Sequence, residues 1–133
     1  MGVKKQNTYQ LNWQATSPAP FSPNTPPSGN LTGAMASTNT IYSNIQDLSN
    51  IDNAGIEITF SGTPTGVISI MCSNGGTNFY ALTFNPILAQ PAGAAGGFLI
   101  NLNQVPFRYV FVQYVNSSGT GTLTAIITQK DLN

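Results

Sequence analysis

From residue 38 onward the chain is a succession of short runs in which apolar and polar residues alternate, each closed by a cluster of Gly, Pro, Asn or Ser. A period of two puts successive side chains on opposite faces of a strand, so such runs fold as half-buried β-strands. Ile56, Ile58 and Phe60 alternate with Glu57 and Thr59. The turn 62–66 follows, and residues 67–72 read as the returning strand of a hairpin. Residues 73–78 form a second turn and 79–84 a third strand. A long loop with Pro86 and Pro91 covers 85–97, and residues 98–102 are a strand closed before Pro106. The run 107–115 carries Val110, Val112 and Tyr114 on one face and Tyr109 and Phe111 on the other. Apolar residues on both faces mark a central strand, or one whose second face a partner buries. Residues 116–121 turn the chain into a last strand over 122–129. With a further strand across 40–48, the count is about seven or eight, and no segment has a capped helical period. The expected fold class is all-β: an antiparallel β-sandwich or jelly roll.

Residues 1–37 are written differently. They hold five of the nine prolines, Pro18, Pro20, Pro23, Pro26 and Pro27, among Ser, Thr, Asn and Gly. Proline donates no backbone hydrogen bond and fixes φ, so this stretch is expected to be an extended, Pro-rich N-terminal arm, with the β-sandwich domain spanning 38–133. Within the arm, Tyr9, Leu11 and the single Trp, Trp13, alternate with polar residues. Together with Phe21 they are candidate anchors on a neighbouring subunit, because aromatic side chains bury large area at small entropic cost. On this reading, deletion of 1–37 leaves a folded domain that no longer attaches to its partner.

Composition narrows the function. Charged residues are 6% of the chain, four basic and four acidic with no His, against about 25% in an ordinary soluble domain. A chain this neutral lacks the repulsion that keeps free monomers apart, which points to a surface held in an assembly. The bases Lys4, Lys5, Arg108 and Lys130 are scattered, so nucleic acid is not an expected partner. No apolar run approaches the length of a membrane span, and no apolar stretch follows the N-terminal charges as in a signal peptide, so synthesis in a cytoplasm is expected. The single Cys72 permits neither an internal disulfide nor a cysteine zinc site. Acid–base catalysis would have to come from Asp47, Asp52, Glu57 or Asp131; a glycosidase-like pair of Asp47 or Asp52 with Glu57 is the one enzymatic arrangement to consider. Asn74-Gly75-Gly76 has no following Lys or helix and is no phosphate loop. No catalytic residue, metal ligand or cofactor is expected. Arg108 is expected to pair with Glu57 or Asp52, or to reach across a subunit boundary. Tyr42, Tyr80, Tyr109 and Tyr114 could present rings to a sugar.

Several segments resemble a β-domain that recurs in virion structural proteins of tailed bacteriophages. They are residues 50–52 and 56–66, with the turn Gly62-Thr63-Pro64-Thr65-Gly66; residues 73–80, with Ser73-Asn74-Gly75; Phe107-Arg108-Tyr109-Val110; and Ser118-Gly119-Thr120-Gly121-Thr122-Leu123. The resemblance covers about residues 40–131. Asn74 stands where that family commonly has Asp. The resemblance implies a virion structural protein, first of all a capsid decoration or cement protein. It would bind the major capsid protein or other virion proteins and copies of itself, as a trimer at a symmetry junction, and reside in the virion after assembly in the host cytoplasm. A glycan-binding adsorption module and a neck or tail adaptor are the alternatives. The family brings no catalytic residues with it.

Overall fold

Every described strand pairs antiparallel, and the strands divide into two sheets packed face to face. The structure, a computed structural model, describes residues 6–84, 88–103 and 105–131; Lys4, Lys5 and Pro86 lie outside the described residues. Among those described there are eleven strands and no helix: β1 (Gln6–Gln10), β2 (Trp13–Gln14), β3 (Gly33–Met35), β4 (Thr40–Ser43), β5 (Gln46–Asp47), β6 (Ile51–Phe60), β7 (Thr65–Ser73), β8 (Tyr80–Ala81), β9 (Gly96–Leu102), β10 (Tyr109–Ser118) and β11 (Gly121–Asp131). The first sheet runs β1–β11–β6–β9, with β3 also against β11; the second runs β2–β4–β10–β7–β8, with β5 also against β10. The alternation read from the sequence sets the faces. Ile56, Ile58, Phe60, Leu123, Ala125 and Ile127 point inward from the first sheet and meet Ile68, Ile70, Val110, Val112 and Tyr114 from the second. Each large apolar side chain fully buried here contributes about 1.5–3 kcal/mol before entropy is set against it.

The hairpin expected between residues 56–60 and 67–72 does not form. β6 pairs with β11 and β9, while β7 pairs with β10 and β8, so the turn between them carries the chain from one sheet to the other. The β10–β11 connection crosses between the sheets too, beside it. The two corners interlock: the N–H of Ser61 donates to the carbonyl of Thr122 at 3.0 Å and that of Thr63 to Thr120 at 2.9 Å. Gly62 (φ 82°) and Gly119 (φ 72°) sit where the backbones touch. A Cβ on Gly119 would lie 1.9 Å from the Thr63 oxygen, and one on Gly62 2.3 Å from that of Thr120. Only glycine tolerates both the left-handed backbone and that approach.

Residues 6–37 are not a separate arm. β1 pairs with β11 from Gln6↔Lys130 to Gln10↔Ile126, and β2 pairs with β4 through Trp13↔Ser43. Leu11, Trp13 and Met35 belong to the same buried cluster as the sandwich core. Asn12 is clamped by Asn44, whose Oδ1 accepts from the Asn12 N–H at 2.8 Å while its own N–H donates to the Asn12 carbonyl at 3.0 Å. The expected division at 37/38 therefore falls inside one folding unit, and three strands (β1, β2 and β3) come from the part expected to be extended. The proline-rich stretch between β2 and β3 behaves as a strap. The Phe21 N–H donates to the Gly76 carbonyl at 2.7 Å, and its ring packs 4.5 Å from that of Tyr109.

The strap and two neighbouring rings account for the doubly apolar β10. β10 is central, flanked by β4 and β5 on one side and β7 on the other. Its core face holds Val110, Val112 and Tyr114. On its outer face Phe21 covers Tyr109, and Tyr42 and Phe79 flank Phe111 at centroid distances of 6.3 and 5.0 Å. The expected strand across 40–48 breaks into β4 and β5 at Asn44. Ser43 repairs the ladder there: its Oγ accepts the Val112 N–H at 2.8 Å. Beyond β10, the buried Tyr114 hydroxyl donates to Asn116 Oδ1 at 2.7 Å, and Asn116 Nδ2 donates to the carbonyls of Ser37 and Gly119. This network ties the end of the N-terminal region to the β10–β11 corner.

Candidate functional site

The candidate anchors separate in space. Leu11 is 1% and Trp13 3% exposed, both in the chain's own core, so neither is available to a neighbour in this fold. Phe21 is engaged with Tyr109 on the strap. Tyr9, at the edge strand β1, is 46% exposed and is the one of the four with substantial free surface. Alternation placed Tyr9, Leu11 and Trp13 on a common face; it could not say whether that face meets another molecule or this one.

Arg108 pairs with Asp47, its Nε 3.6 Å from Oδ1, and not with Glu57 or Asp52. The register explains this: Tyr109 stands opposite Asp47 in the β10–β5 pairing, whereas Glu57 lies in the other sheet. The guanidinium also lies 5.0 Å from the centroid of the Tyr109 ring. Partial burial by itself would raise the Asp47 carboxyl. The side-chain and backbone hydrogen bonds from Ser49, at 2.6 and 2.9 Å, and the Arg108 charge outweigh it and hold the group below its ordinary value.

The carboxylates do not converge. Asp47 and Glu57 sit in different sheets. Asp52 and Glu57 are five residues apart on β6, about 16 Å along an extended strand, where a glycosidase pair stands about 5–9.5 Å apart. Among the described residues no three metal-ligating side chains gather. Burial pushes the Cys72 thiol up to about 12, so at neutral pH it is protonated. No helix of the described residues is long and apolar enough to cross a membrane.

What the geometry does present is surface. The outer face of the first sheet is broad and nearly neutral. Register sets its rows: Thr8–Thr128–Gly55–Asn101 and Gln10–Ile126–Glu57–Leu99. Thr59, Thr122, Thr124 and Ser61 continue it toward the corners. Hydroxyls join neighbouring strands, Thr8 to Thr128 at 3.1 Å and Ser61 to Thr122 at 2.6 Å. Gly55 leaves a shallow depression of about 320 Å³ bounded by Gln6, Asn101, Thr128 and Lys130. On this face Glu57 and Lys130 are the charged residues among those described, and Leu99 is 71% exposed. Leu99 was missed from sequence, although a signal exists: it is the out-of-phase apolar residue between Phe98 and Ile100, as Ile126 is between Ala125 and Ile127.

The four tyrosines considered for sugars also separate. Tyr109 and Tyr114 are buried, and burial raises the pKa of the Tyr114 hydroxyl. Tyr42 is half-buried against Phe111. Tyr80 is 71% exposed and borders an open concavity of about 580 Å³ with Asn74, Thr77, Asn78 and Phe107.

No protein-family model matches the chain, and no curated protein matches its sequence. Among solved structures, the chain is similar to the SPBc2 prophage-derived protein YomS, with a TM-score of 0.48 and 11% identity over 96% of each chain. It is also similar to a chain in the structure of the infectious bursal disease virus Gx strain, with a TM-score of 0.46 and 14% identity over 96% of this chain and 33% of that one. Both are distant likenesses of chain path, at a level that carries no functional inference.

Proposed function

We propose that this chain is a structural protein of a bacteriophage virion, and within that class a capsid decoration protein that binds coat subunits. The observation that carries the reading is the outer face of the first sheet: a surface of threonine, asparagine and glutamine with Leu99 and Ile126 among them, and with Glu57 and Lys130 as its charges among the described residues. Such a face desolvates at small electrostatic cost, which suits close packing against other subunits. The turn motifs shared with phage virion β-domains support the same reading. The mechanism is passive: many copies each bury one face, and the particle gains through multivalency. The N-terminal region then serves assembly by completing the sandwich, with Tyr9 as its free aromatic.

The test is co-sedimentation of purified protein with particles lacking it. Thr59→Glu together with Thr124→Glu places two carboxylates on the face without touching the core. Binding by the parent chain, lost in this folded double variant, is the expected result. Equal binding by both, or none by the parent, defeats the proposal. An electron-microscopy map of the intact particle distinguishes a head site from a neck or tail site.

Tyr80 favours a second reading, a glycan-binding surface. An exposed ring beside Asn74 and Asn78 matches the stacking-plus-amide chemistry that sugars use. Glycan-array binding lost in Tyr80→Ala would support it, and an array without hits would dismiss it.

A further inference from the structure

β9 is the edge of the first sheet. One flank pairs with β6 along its whole length, from Ala54↔Leu102 to Phe60↔Gly96, with no bulge. No strand pairs with its other flank among the described residues. Unpaired N–H and C=O groups along such an edge are a template for another strand, and proteins usually blunt them with Lys, Pro, bulges or very short strands. β9 has none of these devices: it runs seven residues, Gly-Gly-Phe-Leu-Ile-Asn-Leu, without charge or proline.

The second sheet shows what protection looks like. β8 is two residues long, and beyond it the Gln90 side chain closes the β7 edge: Oε1 accepts the Ile68 N–H at 2.5 Å and Nε2 donates to the Ile68 carbonyl at 3.1 Å. At the opposite edge β2 is two residues long and is bridged by Asn30.

We infer that the β9 edge is a homotypic interface, taking β9 of a second copy in antiparallel register about a two-fold axis at Leu99. Leu99 is the midpoint of Gly96–Leu102, so a two-fold there sets Leu99 against its own mate and buries the most exposed apolar side chain on that face. The same register sets Phe98 opposite Ile100 on the core side, an aromatic–β-branched pair. It sets Gly97 opposite Asn101 on the outer side, small against large. The strand carries no charge to be duplicated across the axis. The nearest, Glu57, is one strand inward beside Leu99; it and its mate are then three strand spacings apart, about 14 Å, beyond the screening length of about 8 Å. An interface of this kind is isologous and closes as a dimer, in place of the trimer expected from sequence. It rests on the assembly reading only in supplying the unit that assembles.

The test is the mass of the full chain in solution. Sedimentation velocity at micromolar to millimolar concentration is expected to show a species of twice 14.0 kDa. Leu99→Lys puts two ammonium groups together at the axis, and the dissociation constant is expected to rise about a hundredfold or more. Because Leu99 is exposed, the variant's circular dichroism stays that of the parent and its melting stays cooperative, with a midpoint lower only by the lost association. A positive signal comes from Leu99→Cys, which is expected to form an intermolecular disulfide on mild oxidation, whereas Val67→Cys, exposed on the other sheet, does not. A parent chain that is monomeric throughout, a dimer that survives Leu99→Lys, or equal cross-linking at 67 and 99 overturns the inference. A monomer that still binds particles through Leu99 would show that the edge takes a coat strand, which overturns the homotypic pairing and leaves the assembly role intact.

Discussion

The backbone N–H of Thr63 donates to the carbonyl of Thr120 at 2.9 Å, and with that bond two sheet-to-sheet crossings, 57 residues apart in sequence, become one corner. The turn motifs around residues 62–66 and 118–122 are therefore two halves of a single contact. Gly119→Ala is expected to destabilise the fold by about 2–4 kcal/mol, through left-handed strain and collision with the Thr63 carbonyl. Gly75→Ala, in a loop with nothing within 4 Å of the new Cβ, is expected to stay within about 0.5 kcal/mol of the parent. Urea unfolding of the two variants side by side checks both.

Trp13 and Leu11 make the N-terminal region a part of the core. Trp13→Ala is expected to cost about 3–5 kcal/mol and Leu11→Ala about 2–5 kcal/mol, each leaving a cavity that the surrounding sheets only partly fill. A chain lacking residues 1–37 is expected to lose near-ultraviolet circular dichroism and cooperative melting. Retention of a sharp melt by the truncated chain would contradict the pairing of β1 with β11 and the placement of Trp13.

Asp47 gives the fold a modest acid sensitivity. Its carboxyl sits below its ordinary value of 3.8 in the folded state. The stability it contributes is thus present above that value and is lost as pH falls through the lower, folded one. Unfolding free energies of the parent and of Asp47→Asn are expected to converge on acidification below pH 4. Half-exposed Arg108 makes the ion-pair share small, so Arg108→Ala is expected to cost under about 1 kcal/mol.

Cys72 reports on opening. Its thiol is raised from 9.0 to about 12 by burial. Folded protein is expected to react with a disulfide reagent at neutral pH only as fast as it opens, and unfolded protein at once. The same shift means that stability falls as pH rises from 9.0 toward 12, because the unfolded chain ionises the thiol first. Fast labelling of the native protein would place Cys72 at the surface and contradict this.

The long strands after residue 38 were legible because alternation is a local signal, whereas the strand expected over 79–84 is only the two residues of β8. Ile56, Ile58 and Phe60, or Val110, Val112 and Tyr114, announce a face without reference to the rest of the fold. Which sheet each strand joins is not local, and the turn at Gly62 reads the same whether the chain folds back or crosses over. The N-terminal region was misread for a related reason. Its prolines correctly exclude regular structure from 18 to 27, but they say nothing of Leu11, Trp13 and Met35 on either side. Arg108 was recognised as an ion-pair residue, yet its partner depended on the β10–β5 register. The surface at Leu99 could have been suspected from its phase, but its exposure follows only from β9 being an edge.

The proline-rich strap makes the two broad sides of the molecule unequal. Its Phe21 covers Tyr109 on the outer face of one sheet, while the other sheet carries no such cover among the described residues, so the body has a front and a back. Whatever takes hold of the bare side receives every copy in the same orientation, with the proline strap turned outward.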